Sequence, residues 1–228
     1  MRPHTESVPK CMVPLNGIPL IFRNIAQWYK VENFSIYIVS GYKSEVLEGL
    51  GHSLIMNPIY GESNMVWSLL MALPTIEVLQ DDFIYISYGD IVVARKNIEL
   101  LVKSEAEFSV LVDLDWESLW SLRMENYMDD VESFKFSGSK IIEIGKPVSS
   151  KSDVQGQYMG VVKVDRLLLV RILKEYRAWV DNASSDEIAA QRRNLYLTEF
   201  IQRYIDNSGV VTPVLINGGW IEVDSAED

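Results

Sequence analysis

Five short stretches of the chain carry side chains whose types and spacing suit chemistry. In "YISYGD" (85–90) a carboxylate directly follows a strand-like run and a glycine. That places it at the carboxyl edge of a sheet, where open α/β folds bind their ligands. Asp90 is therefore a candidate oxygen ligand for Mg2+, which takes one or two carboxylates and fills its shell with phosphate oxygens and water. An Asp that only shapes a turn or caps a helix would give the same letters. In "GGWIEVDSAED" (218–228) Glu222 and Asp224 are two apart, so in an extended segment they share a face, with Trp220, Ile221 and Val223 as anchors. The plain alternative is a solvated acidic tail. In "VPKCMVP" (8–14) Lys10 lies between Pro9 and Pro14, and the fixed φ of the prolines stiffens the segment that presents its ammonium. In "DLDWESLWSLRMEN" (113–126) Trp116 and Trp120 are i, i+4 with Arg123 one turn on. Such a pair can cradle an alkylammonium group at about 0.5–2 kcal/mol per ring, or simply form a core stripe. In "GQYMG" (156–160) two glycines permit close backbone approach around Tyr158.

These residues need a scaffold, and the surrounding pattern supplies one. "LIFRNIAQWYKV" has helical periodicity behind Pro19, "FSIYIVSGY" reads as a buried strand, and "GYKSEVLEGL" as a short helix. "HSLIMNP" is a second strand, "NMVWSLLMALPTIEVL" a helix disturbed at Pro74, and "DDFIYISYGDIVV" a strand broken at Gly89-Asp90. A helix from Arg95 to Val102 leads into the strand "FSVLVDL". Strand, helix and strand in alternation predict right-handed βαβ units around a mostly parallel sheet. Beyond Asp115 the pattern predicts a hairpin about Ser137-Gly138-Ser139 and a strand in "GQYMGVVKV". Helices follow over Arg166 to Val180 and Leu195 to Asp206, joined by the polar "DNASSDE", and strands in "VVTPVLI" and "NGGWIEVD" close the chain. No repeat or linker interrupts the 228 residues, so 1–228 reads as a single α/β domain.

Composition narrows the partners. A net charge of −11 opposes binding to a nucleic-acid backbone or an anionic membrane surface, though a local cation or metal still allows a nucleotide. No apolar run approaches the roughly 20 residues of a membrane span. A single cysteine, Cys11, fits a reducing cytoplasm, and with only His4 and His52 beside it a zinc site is not expected.

Taken in order, "RPHTESVPKCMVPLNGIPLI", "IVSGYKSEVL", "NPIYGESNMVWSL", "YISYGD", "EIGKPV", "GQYMGVVKV", "LTEFIQRYID" and "GGWIEVDSAED" resemble the nucleotidyltransferases that join an NTP to a phosphorylated small molecule. The nearest likeness is to the cytidylyltransferases for phosphocholine and aminoethylphosphonate-type substrates. The resemblance implies a Rossmann-like mixed, mostly parallel sheet flanked by helices, and Mg2+-dependent transfer, CMP from CTP, with release of pyrophosphate. It implies that Lys10 contacts the nucleotide phosphates, that Asp90 and Asp224 bind the metal, and that Glu222 faces the acceptor. Trp120 and Tyr158 are placed on the acceptor side of the same cleft.

Members of that family open with a strand and a Gly-rich loop of the type AAGxGTRLRP, and Met1-Arg2-Pro3 falls at the end of that motif. The expectation is a sheet lacking its first strand and loop, with an unfilled slot beside the strand near Phe34 to Ser40. Two alternatives stay open beside the cytidylyltransferase: a sugar-1-phosphate nucleotidyltransferase, and a catalytically impaired remnant that acts as a binding protein. A homo-oligomer is compatible with each.

Overall fold

The computed structural model describes residues 3–123 and 127–223. A two-residue ribbon, β1 (Pro14–Leu15) and β2 (Ile18–Pro19), leads into α1 (Leu20–Tyr29), whose buried stripe of Leu20, Ile21, Asn24 and Trp28 follows the helical period. Then come β3 (Tyr37–Ser40), β4 (Ser53–Met56), α2 (Met65–Met71) and α3 (Leu73–Val78). The break between these helices lies where the sequence predicts it. Pro74 has no N–H to donate, and its ring would meet the carbonyl of residue 70, so the ladder of α2 stops and α3 restarts with Pro74 in its first turn. The chain continues through β5 (Phe83–Ser87), β6 (Ile91–Val93), α4 (Arg95–Lys103), β7 (Phe108–Asp113) and α5 (Trp116–Arg123). A hairpin of β8 (Glu132–Ser137) and β9 (Lys140–Pro147) precedes β10 (Gln157–Asp165). Last come α6 (Arg166–Asp181), α7 (Asp186–Arg193), α8 (Leu197–Asp206), β11 (Thr212–Ile216) and β12 (Trp220–Glu222).

Two elements correct the sequence reading. The short helix expected within 41–50 is only a 3₁₀ turn, Ser44–Val46. The polar joint after α6 runs into a further helix, α7, capped by the Ser185 side chain accepting from the Ile188 N–H. Asp186 and Glu187 in its first turn and Arg192 and Arg193 in its last complement the helix dipole. Its weak apolar periodicity hid it, because no residue of α7 is buried.

The central sheet has the order β11-β7-β10-β5. β11 runs parallel to β7, while β10 lies antiparallel between β7 and β5, so three of the four strands share a direction. Alternation along these strands builds two cores. Val110 and Val112 of β7 and Val162 and Val164 of β10 face a cluster with α2, α3, α6 and α8 residues such as Leu70, Ile76, Leu173 and Ile201. Leu111 and Val161 face the other way, into Trp28, Ile98, Leu101, Trp116, Trp120 and Trp220. The result is a mixed α/β layer with helices on both faces. Among the described residues β3 pairs only with β4, in parallel, and β5 only with β10. None of the described helices is long and apolar enough to cross a membrane.

Candidate active site

The end of β5 is shaped by two glycines and an asparagine. The Tyr88 N–H donates to the Gly160 carbonyl at 3.0 Å, and the Tyr88 carbonyl accepts from Asn24 Nδ2 at 3.2 Å. Gly160 has φ +72, and a Cβ there would fall 2.4 Å from the Tyr88 ring. Only glycine lets the irregularity in the β10–β7 pairing between Tyr158 and Val162 sit this close to Tyr88. Past Tyr88 the chain turns at Gly89-Asp90 and resumes as β6. Gly89 faces Cys11, with an added Cβ only 3.2 Å from that of Cys11. This approach brings the short 3₁₀ turn Lys10–Met12 against the turn after β5. There Lys10 Nζ lies 2.7 Å from Asp90 Oδ2, with side-chain exposures of 29% and 22%. The two residues singled out from distant motifs meet at the edge of the sheet, partly open to solvent.

β12 reaches the same place from the other end of the chain. It pairs antiparallel with β6, Trp220 opposite Val93, Ile221 opposite Val92 and Glu222 opposite Ile91. One step on, the Val223 N–H donates to the Asp90 carbonyl at 3.2 Å. Asp224, the next residue, lies outside the described residues, as does the Arg123 side chain. The surroundings are acidic. Burial above all pushes the Tyr88 phenol up from its ordinary value, and the carboxylates of Glu132, Asp90 and Glu222 push it further. Burial and the nearby Asp90 charge raise the Cys11 thiol to about 11, so it is a neutral neighbour of the pair at physiological pH.

The aromatic residues take different places. Trp120 is 5% exposed and packs against Trp116 at 6.5 Å and Trp220 at 5.4 Å between ring centroids. The core thus covers the indole faces that an open cradle would have to present, and Trp120 bears on the cleft through Trp220 and β12. Tyr158 sits edge-on to Tyr88 at 6.0 Å, its hydroxyl buried. Asn24 was not legible as a site residue. It is a buried polar position on the apolar stripe of α1, and its amide bonds to Ser87 Oγ and the Tyr88 carbonyl brace the turn before Asp90.

The donor set suits a hard cation. Asp90 and Glu222 offer oxygens, and the adjacent Cys11 thiol is held protonated. Among the described residues no group of three or more His, Cys, Asp and Glu is arranged to hold a metal.

No protein-family model matches the chain. The chain is 30% identical over 238 residues to the CTP:phosphoglutamine cytidylyltransferase of Campylobacter jejuni subsp. jejuni serotype O:2, a match spanning 100% of this chain and 92% of that protein. Among solved structures, the inositol-1-phosphate CTP transferase from T. maritima superposes with a TM-score of 0.69 at 16% identity, covering 97% of this chain and 83% of that one. The CTP:phosphocholine cytidylyltransferase from Streptococcus pneumoniae does so with a TM-score of 0.66 at 19% identity, covering 100% and 89%. These two likenesses concern the fold.

Proposed function

The chain belongs to the nucleotidyltransferase family that includes the cytidylyltransferases, and from that premise we propose that it transfers CMP from CTP to a phosphorylated or phosphonylated small molecule, releasing pyrophosphate. The observation that carries this reading is the Lys10–Asp90 pair, set at the carboxyl end of β5 where β12 arrives. In such a transfer a phosphate or phosphonate oxygen of the acceptor attacks the α-phosphorus of CTP. The bond from that phosphorus to the bridging oxygen breaks in line, and its electron pair leaves with pyrophosphate. A protein nucleophile is unnecessary; positioning and charge neutralisation do most of the catalysis.

Lys10 supplies a fixed positive charge for the phosphates, held ready by its ion pair with Asp90. Asp90 and Asp224 would hold Mg2+, with Glu222 on the acceptor side of the same edge. The metal, when bound, neutralises phosphate charge and favours the departure of pyrophosphate. Tyr158 closes the wall behind Tyr88, and Trp120 supports the acceptor side from beneath Trp220. A cytoplasmic setting and a homo-oligomer fit this reading.

The test is pyrophosphate release from CTP and Mg2+ with a panel of acceptors: phosphocholine, 2-aminoethylphosphonate, phosphoglutamine, inositol 1-phosphate and a hexose 1-phosphate. Release with one of the first four, and a CMP adduct in the phosphorus NMR spectrum, supports the proposal. Release with the hexose phosphate alone moves the chain to sugar-phosphate activation. No release with any acceptor or NTP overturns the enzymatic reading.

A further inference from the structure

β7 ends on a carboxylate that the catalytic reading does not use. Asp113 is 0% exposed, and its partners are three N–H donors. Oδ1 accepts from the Asp115 N–H at 3.0 Å and from the Gly218 N–H at 2.8 Å, and Oδ2 accepts from the Trp220 indole Nε1–H at 2.8 Å. Two of these donors lie more than a hundred residues away, one in the turn between β11 and β12 and one on the first residue of β12.

That turn decides where β12 goes. Ile216, the last residue of β11, is the register partner of Asp113, and the Leu114 N–H donates to its carbonyl at 2.9 Å. The chain must then leave the central sheet and cross to β6. It does so through Gly218 and Gly219, at φ +57 and +82, a conformation that costs other residues strain. Asn97 Nδ2 donates to both glycine carbonyls, at 2.9 and 3.1 Å, and fixes the turn from the α4 side. Asp113 fixes it from the β7 side and adds the indole of the first residue of β12. Three residues further on, Val223 bonds to Asp90. A run of specific contacts therefore leads from a buried carboxylate in the central strand to the residue beside the Lys10–Asp90 pair.

We infer that Asp113 is the positioning residue for the carboxylate carried by β12, Glu222. By seating Trp220 and Gly218 it sets the register of β12 on β6, and hence where Glu222 stands relative to Asp90. A leucine or valine of similar bulk would fill the space but leave three N–H groups buried without an acceptor. An Asp at the end of an apolar strand is the signature that also singles out Asp90; here the structure turns it inward. The catalytic part of this role rests on the proposed transfer, whereas the seating of β12 can be measured without it.

The decisive variant is Asp113→Asn, which keeps the volume but sets an amide N–H2 against the Trp220 indole N–H or the Gly218 N–H. In the full chain, deuterium exchange of the backbone over 217–223 is expected to quicken by about 10-fold or more, with β7 and β10 unchanged. Trp220→Phe, which keeps an aromatic side chain and loses the indole donor, is expected to show a smaller quickening over 220–223. In turnover, Asp113→Asn should lower kcat by about 10²-fold with the KM for CTP nearly unchanged, because a small misplacement of a reacting group is enough for such a loss. Combining it with Trp220→Phe, which removes the mismatched donor, should recover part of that kcat. Exchange over 217–223 that stays at the wild-type rate, or that quickens equally in β7 and β10, overturns the inference. If the wild-type chain releases no pyrophosphate, the proposed function fails while the exchange result still decides the role of Asp113.

Discussion

Lys10 Nζ and Asp90 Oδ2 stand 2.7 Å apart, joining a 3₁₀ turn near the start of the chain to the loop that ends β5. Both side chains keep some solvent contact, and ion pairs of that kind add about 0–1 kcal/mol to stability. Fold stability is therefore a weak reason for the pair. On the proposed function, the pair presents a cation and an anion to a ligand that needs both.

Lys10→Ala is accordingly expected to reduce kcat/KM for CTP by about 10²–10³-fold, the usual loss when one preorganised charge or donor at a phosphoryl centre is removed. Asp90→Asn should abolish Mg2+-dependent pyrophosphate release. The melting temperature of each variant should stay within a few degrees of wild type. A large drop in melting temperature, with kcat/KM falling only in proportion to the folded fraction, would mark the pair as structural.

Cys11 reports on the same charge. At a pKa of about 11 its thiolate fraction at pH 8 is about 0.1%, against several per cent or more for an ordinary thiol, so alkylation by iodoacetamide should run on the order of 100-fold slower than in a free peptide. Replacing Asp90 by Asn removes a negative neighbour, lowers the pKa and should quicken alkylation. The sign for stability follows the raised value. Below pH 9 the thiol is protonated in both states; between about 9 and 11 only the unfolded chain ionises, so the fold loses stability as pH rises through that window. A rate that is unchanged or slower in Asp90→Asn would contradict this account.

The strands and most helices were legible because their apolar periods are strong. β7 and β10 alternate cleanly between the two cores, and α1 buries one stripe. Lys10 and Asp90, which the structure brings together, stand out in the sequence because each follows a stiff or β-rich run. What stayed hidden depends on contacts distant in sequence. Asn24 and Asp113 look like ordinary polar residues until α1 and the β11–β12 turn pack on them. Trp120 was ambiguous for the opposite reason. Helical spacing of two indoles describes a core stripe and an open cradle equally well, and only the packing of Trp220 across it resolves the geometry.

Gly160 offers a test of how Asp90 is aimed. A side chain at φ +72 is strained, and the Cβ of Gly160→Ala would displace the Tyr88 ring, which it would otherwise approach to 2.4 Å. Strain of this kind costs on the order of 1–3 kcal/mol. The expected outcome is a lower melting temperature together with a fall in kcat larger than the lost stability accounts for, since Tyr88 leads directly into Gly89-Asp90. A variant with wild-type kcat after correction for the folded fraction would show that Tyr88 does not set the position of the carboxylate.

Among the described residues β3 pairs only with β4 and β5 only with β10, so each presents one side without a neighbouring strand. Val39 of β3 and Ile84 and Ile86 of β5 are only partly buried although they pack on the same core. Unpaired N–H and C=O groups along half-buried apolar strands are a template for association. The chain is expected to self-associate as its concentration rises from about 1 to 100 µM, a range in which interactions of roughly 5.5–8 kcal/mol become visible by sedimentation. Tyr37, 39% exposed at the start of β3, is the place to add a gatekeeper charge. Tyr37→Lys should reduce the association while leaving the melting temperature nearly unchanged, because surface substitutions usually shift stability by no more than about 0.5 kcal/mol. A chain that sediments as a monomer throughout that range, or an association that Tyr37→Lys leaves intact, would show that these edges are not where the molecules meet.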